Sequence, residues 1–420
     1  MRNIIVVGAG VSGLAAAMSA SSLKAEVTVF ESEYSIPPQK SLLPYLISGE
    51  LKEEMLIQSE SLISEVGIEF RRGEPVISID ADKREVKTKN GSHNFDSLVL
   101  ATGTISAVDP INGLSKNGVY LMKGIEDYLR LGKLKDASRI AILGSTPLAL
   151  TVAEMLVHKG FKTMLFSPFL LSGYVSPAIK QLVIRRIEEG GVEVIQHGVE
   201  RVAGVEKVEA VISNNFIYPC DVFVVFPRYV PQVPKINLEK GNAGGILVDM
   251  MMRTSIQDIF AAGDCTELRF KASSVPIRLH SSSRIMGEVA GANAAGRKEK
   301  ANLSGALSQV IFGLELCSAG LTIETAKMMG IDAVDANIIA KANETITSSI
   351  VFDKNSREVY GIQLAGWNAL SYSNAISVIS SLNIKINDLA YLEFPYFPPL
   401  YGDESPITLS ARKAMSLVGH

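Results

Sequence analysis

The chain has 420 residues, 47% hydrophobic and 20% charged, with a formal net charge of −3. That is enough for two to four domains with buried cores, and it excludes a disordered chain and any electrostatic pull toward nucleic acid or an anionic membrane. Cys220, Cys265 and Cys317 are far apart, with neither C-x-x-C nor metal-ligand spacing, which fits a reducing compartment without disulfides.

Asn3-Ile-Ile-Val-Val-Gly8 has the length and β-branched content of a buried parallel strand. It enters the turn Gly8-Ala-Gly10-Val-Ser-Gly13, then the helix-forming LAAAMSASSL, then a second strand, EVTVFE, ending on Glu31. Strand, glycine turn, helix, strand and acid follow in the order of a dinucleotide-binding unit. Gly8 permits the tight turn, Gly10 lets the backbone approach a pyrophosphate, and Gly13 lets helix and strand pack closely. The pyrophosphate then sits at the helix N-terminus, and Glu31 can accept hydrogen bonds from ribose hydroxyls. These same glycines make residues 1–22 a poor targeting segment, and no window approaches a membrane span, so a soluble, cytoplasmic protein is expected.

Next comes PPQKSLLPYLISGEL at 37–51, then FDSLVLATG at 95–103, a strand ending on Thr102-Gly103. From Arg139 the first pattern partly repeats: RIAILG ending on Gly144, STPLALTVAEMLVHKG, then FKTMLFS. This is expected of an internal duplication that yields a nicotinamide-nucleotide domain. Thr146 and Ala149 replace the second and third glycines, Pro147 has no N–H to offer a phosphate, and Ser167 stands where an acid would select NAD. Binding of NADH or NADPH through the remaining backbone N–H groups, and a folded domain that has lost its ligand, both remain open. A proline-rich return at 227–235 leads to TSIQDIFAAGD at 254–264, a turn and short strand ending on Gly263-Asp264.

The ATG turn and the Gly-Asp turn resemble motifs of the pyridine-nucleotide flavin reductases, in the order found there. The resemblance implies FAD, with Asp264 on its ribityl chain. The segment 275–300 resembles the family's helix whose N-terminus faces the flavin, with His280 near its start. Over nearly its whole length the chain resembles the NADH oxidase and coenzyme A-disulfide reductase branch of the pyridine nucleotide–disulfide oxidoreductases. The stretches 305–322, 361–367 and 388–414 resemble that branch's dimerisation domain. The implied fold is α/β: two Rossmann-like domains, one for FAD (1–111 and 229–299) and one of NAD(P) type (112–228), plus a C-terminal α+β dimerisation domain (300–420). The implied assembly is a homodimer in which the segment from Tyr396 to Pro399 reaches the partner's flavin site.

The family's redox motif is C-G-L-P-Y, and here it reads Ser41-Leu42-Leu43-Pro44-Tyr45. A serine hydroxyl is far less acidic than a thiol and has no sulfenic state, so it cannot relay electrons. Val11 replaces a histidine of some oxidases, Thr151 replaces a glutamate, and the first helix lacks the basic residues of coenzyme A reductases until Lys24. Lys40 and Arg71 remain near the implied pocket, where a solvated face explains them equally well. The expected function is an FAD-dependent NAD(P)H oxidase or dehydrogenase without a cysteine relay. Oxygen, reduced to peroxide, or a small carrier would accept the electrons, with Ser41, Tyr45 and Tyr396 lining the flavin. The alternatives are a catalytically silent FAD-binding subunit and a coenzyme A-disulfide reductase-like enzyme.

Overall fold

A computed structural model describes residues 1–36, 38–56, 67–135, 137–341, 345–396 and 404–418. The chain divides into two compact units. One comprises Met1–Leu43, Leu51–Ala107 and Arg228–Leu303; the other comprises Pro44–Glu50, Val108–Pro227 and Ser304–His420.

The first unit is built on a five-stranded parallel sheet, in the order Ile259–Ala261, Ser97–Leu100, Asn3–Val7, Glu26–Phe30, Glu69–Arg71. Ser97–Leu100 is buried throughout, and Asn3–Val7 is buried from Ile4 onward, as strands covered on both faces must be. From the central strand the chain runs outward to Glu26–Phe30 on one side and returns as Ser97–Leu100 on the other. Beyond the carboxyl ends of the strands, a reversal of this kind leaves a crevice for a ligand. Gly8, Glu31, Ala101-Thr102-Gly103 and Ala262-Gly263-Asp264 all follow directly from those ends. A three-stranded antiparallel meander, Ser78–Asp80, Glu85–Thr88 and Gly91–Asn94, is inserted before Ser97–Leu100.

The second unit repeats this plan. Its parallel sheet runs Val192–Ile195, Lys162–Phe166, Arg139–Leu143, Val222–Val225, Val119–Leu121, and it too carries a meander, Arg201–Ala203, Ala210–Ser213 and Phe216–Pro219. Two Rossmann-like sheets are therefore present, as the duplicated motif predicts. The same unit holds a five-stranded antiparallel sheet, in the order Leu307–Ile311, Leu314–Gly320, Val359–Gly366, Thr345–Asp353, Ala333–Lys341. Helices Ser373–Ser381 and Pro406–Val418 pack on it around a core that includes Phe352, Ile376, Ile407 and Ala411.

Residues 44–50 belong to the second unit, whereas the sequence reading assigns them to the FAD domain. The reason is local packing. Leu46 and Ile47 of the short helix Tyr45–Ser48 are buried, and Lys159 Nζ donates to the carbonyls of both Ile47 (3.2 Å) and Gly132 (2.6 Å).

Candidate cofactor and redox site

Gly8 adopts φ +103°, where a side chain is strained, and a Cβ there would stand 2.4 Å from the carbonyl oxygen of Ala101. A Cβ on Gly13 would stand 1.9 Å from the Gly8 carbonyl oxygen, so the helix packs directly on the turn. Gly10 differs, because its Cβ position has no atom within 4 Å. Gly10 is also the N-cap of the helix Val11–Ser22, which has neither a side-chain cap nor an acid in its first turn. The first N–H groups are therefore left without intrahelical partners, beside open space. That cradle suits the pyrophosphate of FAD.

Glu31 is buried at the end of the second strand. Its Oε2 accepts the Ala9 N–H at 2.7 Å, and its Oε1 accepts from the Glu33 N–H and the Ser32 hydroxyl, each at 3.0 Å. A carboxylate offers about four lone-pair sites, so one on Oε2 remains for a ribose hydroxyl. Across the sheet, the Thr102 hydroxyl donates to the Gln232 carbonyl, and the Gly103 carbonyl accepts from the Gln232 N–H at 2.9 Å. The ATG turn is thus tied to the return strand Arg228–Pro231. Asp264 is half-buried and accepts the Ser283 hydroxyl at 3.2 Å, from the helix His280–Ala294. That helix starts from Leu279, again without a side-chain cap. Arg278 Nε, a buried atom, has no hydrogen-bond partner among the described residues. Two open helix starts, a carboxylate with spare capacity and an orphaned buried donor all fit FAD, which Gly10, Glu31 and Asp264 would hold.

Ser41 is exposed in the single 3₁₀ turn Lys40–Leu42. Its neighbour carries more of the local chemistry. Lys40 Nζ sits 4.0 Å above the centre of the Tyr229 ring and 3.5 Å from Thr104 Oγ1. Arg278 Nη1 donates to the Tyr229 carbonyl at 2.8 Å. Although much of Lys40 is exposed, its ammonium end is sufficiently enclosed that desolvation lowers its pKa below the usual 10.5. Asp264 opposes that shift, and Arg278 adds to it. Tyr229 is pushed up by burial and by Asp264 and remains a phenol. Arg71, the other basic residue noted in the sequence, is engaged by Glu69 at 2.6 Å and Glu74 at 3.8 Å.

Tyr45 begins the short helix of the second unit and is half-buried. Tyr396 is 64% exposed. Residues 397–399 of its segment lie outside the described residues.

None of the three cysteines resembles a reactive thiolate. All are buried. Burial pushes the thiols of Cys220 and Cys317 up to about 12, and it raises that of Cys265 as well. Cys265 donates to the Leu100 and Ala262 carbonyls, and Cys317 to the Ala369 carbonyl at 3.1 Å.

The second glycine loop is built differently from the first. Thr146 caps the helix Pro147–His158, its hydroxyl accepting the Ala149 N–H at 3.4 Å. Pro147 has no N–H, so a donor free at the first helix is here either capped or missing. A Cβ on Gly144 would stand 2.6 Å from the Ala149 side chain, so Gly144 still serves a close turn. Ser167, fully buried, shares a hydrogen bond with Ser145 at 2.8 Å, and Thr151 Oγ1 accepts from Gln309 Nε2 at 2.9 Å. The Ser145–Ser167 and Lys40–Tyr229 pairs were not visible in the sequence. The only available signals were Lys40 beside Ser41 and a serine in place of the usual acid.

The family model for pyridine nucleotide-disulphide oxidoreductases matches residues 2–296. An NADH oxidase of Methanocaldococcus jannaschii is 27% identical over 98% of each chain. The structure of an NAD-dependent persulfide reductase from A. fulgidus superposes with a TM-score of 0.88 at 25% identity, over 99% of this chain and 83% of that one. A water-forming NADH oxidase from Lactobacillus brevis, solved with NADH, gives 0.90 at 21% identity, over 100% and 99%. With a cradle that fits FAD and a family match over most of its length, this chain belongs to the pyridine nucleotide-disulphide oxidoreductases, a family of FAD enzymes.

Proposed function

We propose that the chain is an FAD-dependent NAD(P)H oxidase or dehydrogenase that delivers electrons to oxygen or to a small carrier without a cysteine relay. The observation that carries this reading is the pairing of a cradle that fits FAD with a redox-loop serine and three buried thiols whose pKa values burial raises. Bound flavin supplies the chemistry, accepting a hydride and releasing electrons singly or in pairs. The protein's own groups have narrower tasks. Gly10 and the open helix start hold the pyrophosphate, Glu31 the ribose and Asp264 the ribityl chain. Ser41 and Tyr45 offer hydroxyls that hydrogen-bond but do not relay electrons. With no thiol to reduce peroxide, reaction with oxygen is expected to stop at hydrogen peroxide. Likeness to NADH oxidases supports a nicotinamide donor. A homodimer in which Tyr396 approaches the partner's flavin belongs to the same reading, supported by exposure of Tyr391, Leu392 and Tyr396.

The second reading, an FAD-binding protein that does not turn over with nicotinamide, is favoured by one observation: the capped, serine-paired second loop. Anaerobic titration of the FAD-loaded protein with NADH, then NADPH, separates the two. Bleaching of the visible flavin band followed by peroxide on admitting air supports the oxidoreductase. A flavin that dithionite bleaches but neither nucleotide touches supports the silent homologue. Water formed quantitatively with no peroxide would remove the relay-free mechanism.

A further inference from the structure

The first unit brings five groups from five separate segments to one place. Lys40 comes from the loop after the second strand, and Thr104 from the strand Thr104–Ala107 that follows the ATG turn. Tyr229 comes from the strand Arg228–Pro231, Asp264 from the Gly-Asp turn, and Arg278 from just ahead of the helix His280–Ala294. The Lys40 ammonium is held over the Tyr229 ring at 4.0 Å and beside Thr104 Oγ1 at 3.5 Å. A solvated lysine would have no reason to be held this way, since fixing a long side chain costs rotamer entropy. A cation placed on an aromatic face and partly desolvated gains enough to offset that cost.

The place matters because Asp264 is the group expected on the ribityl chain. Lys40 and Asp264 interact electrostatically, so a ribityl chain held by Asp264 would bring the ring that is reduced toward the Lys40 ammonium. Two electrons and one proton entering that ring leave one negative charge on it. A nearby ammonium favours the charged, reduced form over the neutral, oxidised one. In the sequence, the position that would supply a thiol is Ser41, and the cation is its immediate neighbour.

We propose that Lys40 tunes the flavin: its ammonium, fixed by Tyr229 and Thr104, stabilises reduced FAD and raises its midpoint potential. This rests on the FAD reading but not on NAD(P)H as the donor. Lys40 acts here as a positioning charge and exchanges no electrons. The groups facing it are Asp264, Arg278 and Tyr229. Desolvation lowers the Lys40 pKa below 10.5, so the stabilisation is present below that lowered pKa and is lost as pH rises through it.

The test is the midpoint potential of the full-length, FAD-loaded protein, reduced anaerobically with dithionite against a reference dye. Wild type is compared with Lys40→Met, Lys40→Gln and Lys40→Arg. The expected result is a lower potential for Met and Gln, with the ratio of reduced to oxidised FAD at a fixed potential falling about tenfold, or about 30 mV for a two-electron couple. Arginine should stay near wild type, and the gap between wild type and Lys40→Met should close in alkaline solution. Equal potentials for wild type and both neutral variants at pH 7 would overturn the proposal. Failure of both neutral variants to retain FAD would also overturn it, in favour of a holding role. Because dithionite supplies the electrons, neither outcome depends on whether NAD(P)H reduces the flavin.

Discussion

Gly10 and Gly13 lie three residues apart in one turn, yet the structure gives them opposite tasks. A methyl on Gly13 would collide with the Gly8 carbonyl at 1.9 Å, while a methyl on Gly10 would meet no protein atom within 4 Å. Gly13→Ala should therefore destabilise the apoprotein by about 1–3 kcal/mol, as an overpacked contact does. Gly10→Ala should leave the apoprotein melting temperature unchanged and weaken FAD binding about tenfold or more, a loss of about 1.4 kcal/mol. Melting curves without FAD and FAD titrations of both variants check this; equal melting losses would show that the space above Gly10 is not a ligand's. The turn itself was legible because glycine spacing within one turn is local information, and so was the place of Glu31 at the end of the next strand. Lys40 on Tyr229 was not legible, since 189 residues separate the two and a lone lysine carries no period to read.

The two glycine-loop helices differ at their starts. The first is uncapped at Gly10, whereas the second closes its own N-terminus with the Thr146 hydroxyl. Thr146→Gly should cost only a few tenths of a kcal/mol in stability, because glycine is a tolerable cap. It should also take away the hydroxyl that shares the Ala149 N–H, at 3.4 Å, with the backbone carbonyl of residue 146, at 3.0 Å, and so open the loop to a phosphate and strengthen NADH binding. An anaerobic titration reads this directly, and unchanged or weaker binding would show that Pro147 or the Ser145–Ser167 pair limits the site instead. The meander before the strand Ser97–Leu100 shows what sequence patterning misses, for strands such as GSHN are short, mostly polar and defined only by their partners. Its anchor is Glu74, whose carboxyl is held below the ordinary 4.5 by the Thr88 hydroxyl at 2.6 Å, against burial, with Asn90 and then Arg71 and His93 adding smaller help. A lowered folded-state pKa contributes stability that is full above about 4.5 and is lost as pH falls through the folded value. Thr88→Val should therefore lower the melting temperature at neutral pH, and the gap from wild type should narrow in acid. A gap that stayed constant with pH would assign the loss to packing alone.

At the scale of the molecule, one plan is used twice: a five-stranded parallel sheet with a three-stranded meander. The duplication was legible because both copies keep a strand, a turn and a helix in register with their apolar patterns. The compact units change over at 107 and 228, and residues 44–50 join the second unit, where Leu46 and Ile47 are buried and Lys159 donates to the Ile47 carbonyl. Gly10, Glu31, Thr102, Gly103, Gly263 and Asp264 all fall in the first unit, and the altered second loop falls in the other. Among the described residues, Ile4, Val29, Leu98 and Ala261 cluster in the first unit, and Ala141, Phe166 and Phe223 cluster in the second. A ligand that binds only the folded form of one unit stabilises that unit by mass action, about 2.7 kcal/mol when free ligand is 100-fold above its dissociation constant. Calorimetry of the apoprotein with increasing FAD should then show heat absorption divided between two transitions. Only the one belonging to residues 1–43, 51–107 and 228–303 should climb. Limited proteolysis at temperatures between the two transitions identifies which segments survive. If both transitions rose together, FAD would also be engaging groups outside the first unit, and the cradle built by Gly10, Glu31 and Asp264 would be only part of the site.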